Sequence, residues 1–104
     1  MSRFRDFAIL EKIDYTTRNI LVLSYIYYNM NYNVVSDIVY DKRLKYLCKI
    51  VNENQEIINQ SSYYDVIKDI DPSTGFDLFY KLSDKDQEYL KQIALNVVKQ
   101  HQLA

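Results

Sequence analysis

Residues 17–31 carry Ile20, Leu21, Val22, Leu23, Tyr25, Ile26, Tyr27 and Tyr28, so the helix they predict is apolar almost all the way round. A helix without a polar face persists in water only when neighbours cover it on several sides, which places this segment through the middle of a bundle. At 104 residues the chain has room for one core. It is 48% hydrophobic and 26% charged with a single Gly and a single Pro, which excludes a disordered tail, a collagen-like repeat and a loop-rich disulfide scaffold. Eleven Tyr and four Phe supply large ring areas for so small a core. The expected fold class is therefore all-α: a small single-domain helical bundle over residues 1–104, with about four main helices and one or two short ones.

The remaining elements follow from spacing and punctuation. Phe4, Phe7, Ala8, Ile9, Leu10 and Ile13 predict a short amphipathic helix over 4–13. Asp14, Thr16 and Thr17 are N-cap candidates for the central helix as a separate element. The Asn-rich stretch 29–33 predicts a turn, because Asn tolerates the left-handed conformation. Ser36 reads as the N-cap of a third helix, with Asp37 in its first turn and an apolar stripe of Tyr40, Leu44, Leu47 and Val51 flanked by Cys48 and Ile50. Residues 52–62 are polar apart from Ile57 and Ile58 and predict a connection, followed by a turn or two of helix at 63–67. Asp71, Pro72 and Gly75 mark a turn in which Ser73 or Thr74 would cap a short segment over 76–82. Ser83 opens a last helix whose stripe is Leu90, Ile93, Ala94, Val97 and Val98.

Counting removes most chemistries. The net charge is −1, so nucleic acid is not an expected partner, although residues 1–52 hold eight basic and five acidic side chains against five and nine in 53–104. Cys48 is the sole cysteine and reads as a small buried hydrophobe, with no disulfide or cysteine zinc site. No stretch approaches a membrane span and the first residues lack a signal-peptide run, so the cytoplasm is the expected location. His101 alone cannot supply a metal cluster or a nucleophilic relay, and reads as a solvated position near the end of the chain. Gly75 alone cannot form a phosphate-cradling loop. The pairs Asp69 with Asp71 and Asp84 with Asp86 are ordinary for turns and helix N-termini.

One constellation stands apart: Tyr27 and Tyr28 end the central helix, and Asp37, Tyr40 and Asp41 head the next. At i, i+3 and i+4 the last three share one face of a helical turn, and the intervening loop folds the tyrosines back towards them. The competing structural reading makes Tyr27, Tyr28 and Tyr40 core aromatics and Asp37 a helix-start stabiliser.

The pattern Tyr27-Tyr28-x8-Asp37-x-x-Tyr40-Asp41, with Val35 and Ser36 before the first Asp and Leu44 and Leu47 after the second, resembles the N-terminal Ia domain of bacterial NAD-dependent DNA ligases. The likeness covers residues 17–52 as a helix-loop-helix, about a third of the chain, and leaves 63–104 outside it. It implies that Tyr27, Tyr28, Asp37, Tyr40 and Asp41 form a pocket for the nicotinamide mononucleotide half of NAD. Physical chemistry agrees, since a cationic flat pyridinium gains from tyrosine faces by stacking and cation–π attraction, about 0.5 to 2 kcal/mol per contact, and from a sandwich between them. Carboxylates at Asp37 and Asp41 add Coulomb attraction and accept hydrogen bonds from ribose hydroxyls. Lys42, Arg43 and Lys45 are near enough in sequence to meet a mononucleotide phosphate, but long basic side chains on a helix are usually solvated, and that is the favoured reading of them.

The departures from the family bear on activity. Its Lys-x-Asp-Gly nucleophile motif is absent from these residues, because Gly75 follows Thr74. The chain is accordingly expected to be non-catalytic, requiring no cofactor and taking nicotinamide mononucleotide or NAD as a ligand. The whole looks similar to small stand-alone ligase-related proteins of bacteriophages. An alternative of another class is an interaction or inhibitor protein acting on a host, phage or defence protein with the ligase-like scaffold and no ligand. A third reading has the pocket act in trans with a separate adenylation domain.

Overall fold

A computed structural model describes residues 3–72 and 77–103. Its elements are α1 (Arg3–Asn29), α2 (Asp37–Asn52), a 3-10 turn (Ile58–Gln60), α3 (Tyr64–Ile67), a second 3-10 turn (Leu78–Lys81) and α4 (Asp84–Leu103). No strand occurs among the described residues, and the all-α bundle expected from the sequence is the fold. The expected caps at Ser73 and Thr74 and the turn at Gly75 lie outside the described residues.

The first two expected helices are one. α1 runs 27 residues without a break, about 40 Å at the helical rise, along a molecule 45 Å in its longest dimension. Two of the three residues expected to cap a new helix, Asp14 and Thr17, serve other bonds. Thr17 is 0% exposed, and its hydroxyl donates to the Ile13 carbonyl at 2.7 Å, one turn back within the same helix. Asp14 accepts from the Ser61 hydroxyl at 2.5 Å and from the Ser62 amide at 3.4 Å, tying the chain after α2 to the middle of α1. Buried Ile13, Thr17, Ile20, Leu21 and Ser24 form one stripe across the supposed boundary, and burial of that stripe holds the helix together.

α1 packs against both α2 and α4, and so occupies the centre as its apolar surface requires. Asn31 adopts a left-handed φ of 52° and turns the chain, while the amides of Met30 and Tyr32 both donate to the Ile26 carbonyl. Ser36 caps α2 as expected, its Oγ accepting from the Val39 amide at 3.3 Å. Leu44, Leu47, Ile50 and Val51 turn inwards from α2. Ile57, Ile58, Tyr63, Val66 and Ile67 anchor the polar connection to the same core, together with Leu78 and Phe79. Ser83 caps α4 by accepting from the Asp86 amide at 3.2 Å, and Leu90, Ala94 and Val98 close the core.

Candidate functional site

Where α1 ends and α2 begins, a cleft of about 220 Å³ opens to solvent. Tyr27 and Tyr28 come from the last turn of α1, Tyr32 and its neighbours from the loop, and Asp37, Tyr40 and Asp41 from the first turn of α2. All five residues singled out in the sequence line it. Two local features bring them together. The left-handed Asn31 reverses the chain, and the Ser36 cap starts α2 in a register that sets Asp37, Tyr40 and Asp41 on the cleft side.

Exposure separates the two readings of the aromatics. Tyr27 is 43% and Tyr28 51% exposed, so neither is a core ring. Tyr40 is half-buried against the core while its remaining surface lines the cleft, and belongs to both. The Tyr27 and Tyr28 rings meet edge to face, with centroids 4.8 Å apart and planes at 77°. That geometry leaves no slot between these two rings, which form a corner where a planar ligand would stack on one ring and meet the other side-on.

Tyr40 is fixed from behind. Its hydroxyl shares a short hydrogen bond with Oγ of Ser24, which is buried on α1. Burial pushes the Tyr40 phenol above its ordinary value of 10.0; the Ser24 hydrogen bond opposes the shift, and the neighbouring Tyr28 and Asp41 reinforce it. The ring is therefore a neutral wall at physiological pH, tied to α1 through Ser24. Asp37 and Asp41 are exposed, and neither is in an ion pair among the described residues.

The basic residues near this motif do not join it. Lys42 and Arg43 line a separate shallow depression with Tyr15, Asn19 and Tyr46, and Arg43 donates to the Asn19 side-chain oxygen at 3.0 Å. Lys45 lies beside Cys48 on another face. Of the two readings of these three residues, contact with a ligand phosphate and solvation on the helix surface, their exposed positions outside the cleft lining fit the second. Cys48 is half-buried against the core, and burial raises its thiol pKa.

Three contributors escaped the sequence reading. Ser24 is a polar residue inside an apolar run and gains meaning only from its partner on α2. Tyr32 lies between the two halves of the motif and lines the cleft. Its hydroxyl bonds to Nδ1 of His101 at 2.8 Å, so the histidine expected to be merely solvated joins the last turn of α4 to the cleft wall. Only Tyr32 carried a signal, its place within the loop. No group of side chains suited to a metal ion occurs among the described residues.

Comparison with family models, curated proteins and solved structures finds no match for this chain.

Proposed function

We propose that the chain is a non-catalytic binding module whose cleft takes the nicotinamide end of NAD or of nicotinamide mononucleotide. The observation that supports this reading is the convergence of Tyr27, Tyr28, Asp37, Tyr40 and Asp41 on one solvent-open cleft. Exposed tyrosine faces suit a flat cationic heterocycle, and unpaired carboxylates suit its charge and the hydroxyls of the attached ribose. The lining offers aromatic faces to the ring and carboxylates to the sugar hydroxyls; among the described residues it offers the phosphate no basic partner. A small, open cleft buries only part of such a ligand, so the expected dissociation constant is roughly tens of micromolar to millimolar.

A titration followed by amide NMR tests the reading. Nicotinamide mononucleotide and NAD should shift resonances across residues 23–41, whereas adenosine monophosphate should not. Asp41→Ala should abolish those shifts with helicity unchanged. Absence of shifts with either nicotinamide ligand at about millimolar concentration contradicts the proposal.

A second reading, capture of a protein partner by the helical scaffold, is favoured by Phe4 and Phe7, which stand 92% and 63% exposed on the first turns of α1. Under that reading Asp41→Ala leaves partner capture intact, and Phe4→Ser with Phe7→Ser removes it.

A further inference from the structure

We infer that the cleft selects its ligand by positive charge on the ring, holding oxidised nicotinamide riboside in preference both to its 5′-phosphate and to the reduced dihydronicotinamide form. The inference rests on the nicotinamide reading above and names the charge class that the site accepts.

Among the described residues ten line the cleft, and they include two carboxylates but no Lys, Arg or His. A phosphate entering beside Asp37 and Asp41 meets like charge with nothing to offset it, whereas a pyridinium meets opposite charge and tyrosine faces together. The N-terminus of α2 is the feature of this site that ordinarily attracts anions. Here its first turn already carries Asp37, and the Val39 amide is taken by Ser36. The basic side chains of α2 are turned to other surfaces, with Arg43 held by Asn19. The nearest imidazole, His101, is engaged with the Tyr32 hydroxyl and lies outside the lining. A mononucleotide must therefore carry its phosphate away from the cleft or bind against repulsion. Reduction of the ring removes the charge on which both the carboxylates and the aromatic faces act.

Calorimetry or NMR titration of the full chain with three ligands tests this: nicotinamide riboside, nicotinamide mononucleotide and reduced nicotinamide riboside, each at low and high salt. The riboside should bind roughly three- to tenfold more tightly than the mononucleotide at low salt, as expected for screened interactions at an open site. The gap should narrow at high salt, and the reduced riboside should show no measurable binding. Joint substitution Asp37→Asn and Asp41→Asn should bring riboside and mononucleotide to similar affinity. A mononucleotide bound as tightly as the riboside, or a reduced ring bound as tightly as the oxidised one, overturns charge selection while leaving nicotinamide binding intact. Failure of all three to bind overturns both. Should the double variant not fold, the three ligands on the unaltered chain still decide the matter.

Discussion

Ser24 and Tyr40 carry the site at the scale of single residues. The Ser24 side chain is 1% exposed, and its hydroxyl is held by Tyr40 from the facing helix. Tyr40→Phe leaves that serine without its partner across the helix interface, and should lower stability by about 1–2 kcal/mol, measured by urea unfolding. The phenol also predicts a pH effect. Its pKa is higher in the folded chain than in the unfolded one because burial disfavours the phenolate. The fold therefore favours the protonated form, and this contribution is fully present below the ordinary tyrosine value of 10.0 and lost as pH rises through the folded value. Unfolding free energy should fall above about pH 10, and the fall should be shallower in Tyr40→Phe. Equal alkaline slopes in the two proteins would contradict this account of Tyr40.

Helix α1 shows at the element scale what spacing conveys and what it conceals. Apolar periodicity located its two halves, and the all-round apolarity of the second half correctly placed it at the centre of the bundle. The break expected between them rested on Asp14, Thr16 and Thr17, whose local chemistry suits a cap. Capping competes with back-bonding to the preceding turn and with tertiary partners, and those partners lie 47 and 48 residues away at Ser61 and Ser62. A sequence window does not contain them. Helix continuity can be tested directly. Proline is tolerated at the first position of a helix but costs about 3 kcal/mol or more in an interior, so Thr17→Pro should destabilise far beyond Thr17→Ala in thermal unfolding. Similar losses in the two variants would indicate a helix start at this point. By contrast, Ser36 and Ser83 were readable as caps because each bond is made to an amide three residues on.

Over the whole molecule the cleft depends on a scaffold whose parts are far apart in sequence. The five motif residues could be named from sequence because the two helix ends are joined by a short loop, and their convergence needs only that loop to fold back. The bond that steadies Tyr32 comes from His101 at the far end of the chain, and could be seen only after α4 had packed beside α1. No helix among the described residues is long and apolar enough to cross a membrane. The arrangement is that of a small helical frame presenting an aromatic and acidic recess. Intermolecular NOE spectroscopy with nicotinamide riboside tests this most directly. Cross-peaks between the pyridinium protons and the ring protons of Tyr27, Tyr28 and Tyr40, weakened several-fold in Asp41→Asn at equal ligand concentration, are the expected result. A ligand that gives no such cross-peaks, or gives them to tyrosines elsewhere such as Tyr15 and Tyr46, would contradict it.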